Sequence, residues 1–96
     1  MDLSPESLGV TYRIVYLESV VREDIPKLLK AAKQQVRKAI EKKLPNHPIE
    51  FGKPLRYSLK GARRIRVGDY RVIYRIEPPS TVVILKIGHR REVYED

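Results

Sequence analysis

The stretch RRIRVGDYRVIYR, residues 63–75, constrains the fold of this 96-residue chain more than any other. Apolar and charged residues alternate on both sides of Gly68-Asp69, the pattern of two strands with one face buried and the other wet. Glycine at the first central position of a two-residue loop suits a type II′ turn, whose twist matches that of the flanking strands. Such a loop sets Val67 opposite Tyr70, Arg66 opposite Arg71, Ile65 opposite Val72, and Arg64 opposite Ile73. Directly opposed residues share a sheet face. One face therefore carries Ile65, Val67, Tyr70, Val72 and Tyr74, and the other Arg64, Arg66, Arg71 and Arg75. Placing Arg66 against Arg71 costs about a few tenths of a kcal/mol, so stability does not select it. Four arginines on one face predict an anion in front of them. The guanidinium meets phosphate with a planar, two-pronged donor fork and keeps its charge at any relevant pH.

The distribution of charge strengthens that expectation. The chain has a formal net charge of +8, and residues 53–75 hold eight basic side chains and one acid, against three and four in residues 76–96. A focused basic patch attracts a polyanion, either nucleic acid or an acidic protein. Lys53, Arg56, Lys60, Arg63 and Arg75 of this stretch, with Arg91 beyond it, are expected as further phosphate contacts. There is no cysteine, which excludes disulfides and Cys-based metal sites and fits a reducing compartment. The opening MDLSPESLGV lacks the basic-then-apolar order of a secretory signal, and no run of 18 apolar residues occurs. A cytoplasmic protein without a membrane span is expected, built as a single domain over residues 11–96 behind a flexible lead-in at residues 1–10.

The order of elements follows from changes of period. TYRIVYL, residues 11–17, is rich in β-branched and aromatic residues and reads as a first strand. From Ser19 to Leu44 the apolar positions recur at three and four, with Lys30, Lys33, Arg37, Lys38 and Lys42 mostly opposite, which predicts two amphipathic helices in a hairpin. Pro26 is tolerated in a first helical turn, so the break between them falls either before it or a few residues after. Pro45 and Pro48 stop the helix, and residues 49–60 read as a linker. Strands are predicted over 62–67, 70–76 and 81–87. This order predicts an α+β fold: an N-terminal strand, a helical hairpin and a three-stranded antiparallel meander, forming one antiparallel sheet with the helices on one face. The final segment, KIGHRREVYED, adds Arg90 with His89 and Tyr94, whose imidazole and phenol are able to exchange protons beside a basic groove.

The stretches GKPLRYSLKGARRIRVGDYRVIYRI and VVILKIGHRREVY, with that order of elements, resemble the RelE toxins of the RelE/ParE superfamily of toxin–antitoxin pairs, over residues 11–94. The resemblance implies an mRNA endonuclease that cuts the codon in the ribosomal A site without a metal or other cofactor. In such enzymes the ribose 2′-OH attacks the adjacent phosphate, leaving a 2′,3′-cyclic phosphate and a 5′-OH. By position it implies catalytic roles for Arg64, Arg66, Arg71, Arg90 and Tyr94, with the tyrosine as candidate general base and the cations holding phosphate. The best-known members carry lysines where this chain has Arg64 and Arg66, and arginine donates a proton poorly, so His89 is the alternative acid or an RNA contact. The implied partners are the ribosome, mRNA and a RelB-like antitoxin, the toxin being a monomer when free and part of a hetero-oligomer when bound. A ParE-like inhibitor of DNA gyrase, and an inactive relative that only binds RNA or antitoxin, are the alternatives.

Overall fold

The structure, a computed structural model, describes residues 9–93, the Ser58 side chain excepted. Most of the expected lead-in and Tyr94 lie outside those residues. Strand β1 (Arg13–Tyr16) is followed by a π-helical turn (Val20–Asp24) running into a 3₁₀ turn (Ile25–Lys27), and then by helix α1 (Lys30–Lys43). A four-residue helix α2 (Pro48–Phe51) leads to the short strand β2 (Lys53–Pro54) and a 3₁₀ turn (Tyr57–Leu59). Strands β3 (Arg63–Val67), β4 (Tyr70–Glu77) and β5 (Thr81–His89) complete the chain.

The helical break falls two residues beyond Pro26, where Leu28 and Leu29 are extended, with ψ of 138° and 154°. Pro26 sits in the first turn of the 3₁₀ segment, where its missing N–H breaks no bond. Helix α1 buries Ala32, Val36 and Ile40, one residue per turn, and carries Lys42 and Lys43 in its last turn, where cations suit the helix dipole. Leu44 keeps helical angles (φ −78°, ψ −30°) and donates its N–H to Ile40 O, and the helix ends at Pro45, which has no N–H to continue the ladder.

The five strands run in the order β1-β5-β4-β3-β2. The α+β class and the β3-β4-β5 meander match the sequence expectation, and two features differ from it. Strand β1 pairs with β5 in parallel, Arg13 opposite Thr81 through Tyr16 opposite Ile84, so the sheet is mixed rather than antiparallel throughout. The helical segments return the chain across the sheet, the crossover a parallel pair needs. The expected linker also contains α2 and an edge strand, β2, which pairs antiparallel with β3 through Lys53–Arg64 and Pro54–Arg63. Two residues are too few to show a period, and proline is admitted at a sheet edge because no N–H is needed there.

The main core lies between one sheet face and the helices. It joins Val20, Val36, Ile40 and Leu44 to Ile65, Val67, Val72, Tyr74, Val82, Ile84 and Ile87. A smaller cluster of Leu55, Ala62, Ile73 and Val93, with Leu59 and Leu85 against it, occupies the other face. The arginine face is therefore partly roofed, by the 55–62 loop and by the chain after β5.

Candidate nucleic-acid interface

The hairpin register is the one the alternation dictates: Arg64 opposite Ile73, Ile65 opposite Val72, Arg66 opposite Arg71 and Val67 opposite Tyr70. Gly68 adopts the positive φ (59°) that the first position of the turn requires. Because β2 adds Lys53 opposite Arg64, three adjacent strands bring Lys53, Arg64, Arg66 and Arg71 into one ladder of cations. Arg64, Arg66 and Lys53 line a groove of about 460 Å³, closed on its other side by Pro54, Leu55, Arg56 and Tyr57.

Arg71 is buried, 8% exposed. Its Nη1 donates to the carbonyls of Gly68 (3.0 Å) and Tyr70 (2.9 Å), so it braces the turn from which it projects. Arg90 reaches the same tip: its backbone N donates to Asp69 O at 2.7 Å, and its Nε lies 3.8 Å from Asp69 Oδ1. The chain then folds back so that Val93 lies over Gly88, where a Cβ would come within 2.8 Å of Val93 Cγ2. Val93 packs with Leu55, Ala62 and Ile73, which places the end of the described chain on the arginine face.

Other expected contacts are placed elsewhere. Arg63 donates from Nη2 to the carbonyls of Ile49 (2.7 Å) and Gly52 (2.6 Å), strapping α2 to β3. Arg75 pairs with Glu77 at 2.7 Å. His89 lies opposite Tyr70 in the β4–β5 register and packs edge-on against that ring, centroids 5.7 Å apart. Tyr70 packs on the helix-side core, so His89 faces away from the cation ladder, into a pocket it shares with Asp24, Lys27 and Lys86. Its Nδ1 accepts from the Arg91 N–H at 3.1 Å. Strict alternation from Gly88, which opposes Arg71, explains why adjacent His89 and Arg90 do not work side by side. Lys60 and Arg91 are exposed. Among the described residues no three His, Cys, Asp or Glu side chains gather as a metal site requires, and no helix is long and apolar enough to cross a membrane.

Sequence reasoning missed Tyr57. It is the only non-glycine residue with positive φ (55°) among the described residues, it is 79% exposed, and it lines the groove beside Arg64 and Arg66. The available signal was an aromatic residue set among cations in KPLRYSLK.

Comparison with known proteins finds relatives in sequence and in fold. Residues 15–94 match the family described as the ParE toxin of the type II toxin–antitoxin system parDE. The chain is 46% identical over 52 residues to toxin RelG of Mycobacterium tuberculosis, covering 53% of this chain and 60% of that protein. To toxin RelE of the same organism it is 44% identical over 52 residues, 54% of that protein. The match thus spans little more than half the length of these curated relatives. The structure superposes on the toxin–antitoxin complex RelBE2 of M. tuberculosis with a TM-score of 0.78 and 36% identity, over 86% of this chain and 95% of that one. It shares its fold with the isolated RelE toxin of Escherichia coli, at a TM-score of 0.66, 20% identity, and 81% and 83% coverage. The chain belongs to the ParE toxin family of type II toxin–antitoxin systems, in which its named sequence relatives are the RelE and RelG toxins.

Proposed function

We propose that this toxin is a ribosome-dependent mRNA endonuclease that works in the cytoplasm without a metal. The observation that carries the reading is the cation ladder of Lys53, Arg64, Arg66 and Arg71 across three strands, bordering a groove large enough for a nucleotide. In the proposed reaction a ribose 2′-oxygen bonds to the adjacent phosphorus and its proton passes to Tyr94 acting as the phenolate, which becomes the neutral phenol. The bond to the 5′-oxygen breaks, and that oxygen takes a proton from water. Negative charge grows on the phosphoryl oxygens as the bond forms. Fixed guanidinium groups stabilise that charge by about a few kcal/mol per well-placed donor. Arg64 and Arg66 hold the phosphate, Arg71 is prefixed by the hairpin carbonyls, and Arg90 joins them from the turn after β5. His89, on the other face, takes no part, which leaves proton transfer to Tyr94.

An antitoxin fits the same face, because an acidic extended segment competes for the cations that would bind RNA. A similar toxin is found in a complex with its antitoxin, RelBE2, and a RelB-like partner is proposed for this chain. A second reading, inhibition of DNA gyrase, draws on the ParE description of the matching family. Controlled expression in bacteria separates the two. The nuclease reading requires new 5′ ends within translated messages soon after induction, with no early DNA-damage response. Intact messages with a prompt DNA-damage response would establish the gyrase reading instead.

A further inference from the structure

We propose that Tyr57 is a stacking platform for one unpaired base of the RNA strand lying in the groove, and so a substrate-binding residue of the toxin. The inference rests on the nuclease reading and adds to it a contact that reads the base rather than the phosphate. Three observations converge on it. Tyr57 is held at φ 55°, a conformation that costs a bulky L-residue on the order of 1–2 kcal/mol and persists only where the surroundings impose it.

The surroundings do impose it. Leu55 N donates to Ala62 O (3.0 Å), Lys60 N to Tyr57 O (3.1 Å) and Ala62 N to Leu59 O (2.9 Å), closing the loop on itself. Leu55, Leu59 and Ala62 anchor it to Ile73 and Val93. A ring on a loop closed in this way would ordinarily turn inward to bury its surface, yet this one is 79% exposed. Its position supplies the third observation, since it lines the same groove as Lys53, Arg56, Arg64 and Arg66. An aromatic face beside a row of cations is the arrangement that binds single-stranded nucleic acid, the cations following phosphates and the ring taking a base. A duplex has no free base face to offer, so the ligand is a single strand, as a codon displayed for decoding would be.

The test is message cleavage in a purified translation system, comparing wild type with Tyr57→Phe, Tyr57→Asn and Arg66→Ala. Asparagine tolerates positive φ, so Tyr57→Asn removes the ring while keeping the loop. Tyr57→Phe is expected to cut like wild type. Tyr57→Asn is expected to lose about tenfold in kcat/KM, mainly through KM, the size of one lost base stack, with a denaturation midpoint no lower than wild type. Messages carrying a single abasic site, moved along the A-site codon and its neighbours, locate the partner. At one position the abasic site should cost wild type about tenfold and Tyr57→Asn nothing further. Equal cutting by Tyr57→Asn and wild type, with Arg66→Ala defective, would overturn the role of Tyr57 and leave the nuclease reading standing. Loss of antitoxin capture alone in Tyr57→Asn would assign the ring to the protein partner. Additive losses at every abasic position would exclude stacking. Failure of wild type to cut would remove the nuclease reading and this inference with it.

Discussion

Arg66 and Arg71 stand opposite each other on neighbouring strands, yet they differ in what surrounds them. Arg66 is exposed, whereas Arg71 is buried and binds two carbonyls of its own turn. Their alanine variants are therefore predicted to separate stability from function. Arg66→Ala should lower the urea midpoint less than Arg71→Ala does, because it trims an exposed side chain and removes a like-charge pair. Arg71→Ala should cost about 1–3 kcal/mol, the usual size for losing charge-assisted hydrogen bonds, here two part-buried ones to carbonyls. If both variants unfold at the wild-type midpoint, the bracing role of Arg71 is wrong. The pairing of these arginines was legible in the sequence because a two-residue loop fixes register. The burial of Arg71 was not, since it depends on the side chain bending back over its own turn. Tyr57 stayed hidden for a related reason: its importance lies in a backbone angle set by a loop that shows no periodicity.

Single elements carry contacts that no local pattern announces. The π-helical turn is latched to β5 through Asp24, which is 4% exposed. Its Oδ1 accepts from Lys86 Nζ at 2.8 Å and its Oδ2 from the Ile87 N–H at 2.9 Å. Asp24→Ala strands that buried N–H and is predicted to cost about 2–3 kcal/mol by equilibrium denaturation. A loss below about 0.5 kcal/mol would show that the latch contributes little. On β1, against the core between sheet and helices, Tyr16 is half-buried, and its phenol is pushed above the usual value by burial, then by Glu41, with Arg37 opposing. The folded state thus holds this proton to higher pH than the unfolded chain does. Stability from this group is complete below the ordinary tyrosine value of about 10 and falls as pH rises above it. Tyr16→Phe should lose less stability between about pH 9.5 and 11 than wild type, and parallel curves would contradict the assignment. The longer strands and α1 were readable from periods of two and about 3.6, and proline signalled a helical break without fixing on which side of Pro26 it falls. Strand β2 and the parallel placement of β1 were not, because edge pairing and crossover direction are decided by packing across the whole sheet.

At the scale of the molecule, the two sheet faces divide the work. One carries the main core against the helices. The other carries the cation ladder, roofed by the 55–62 loop and by Val93. Gly88 makes that roof possible, since any side chain there meets Val93. Gly88→Ala is therefore predicted to keep the sheet but lower activity by tenfold or more, as the chain leading to Tyr94 is displaced; full activity from a folded variant would contradict this. The hairpin register that sets Arg64, Arg66 and Arg71 on one face was readable in the sequence. Strand β2 sets Lys53, already expected as a phosphate contact, opposite Arg64, while Arg63, Arg75 and His89 meet other partners.

The proposed role of the cation ladder is to hold a translated message while it is cut. Its most direct test is primer extension on a defined mRNA in a purified translation system, with and without ribosomes, comparing wild type, Arg66→Ala and Tyr94→Phe. The account predicts cuts only on ribosome-bound message, ending in a 2′,3′-cyclic phosphate and a 5′-OH, and at least about 100-fold slower in Tyr94→Phe, the loss expected on removing a proton-transfer group. Folded wild-type protein that leaves the message intact under both conditions would contradict it.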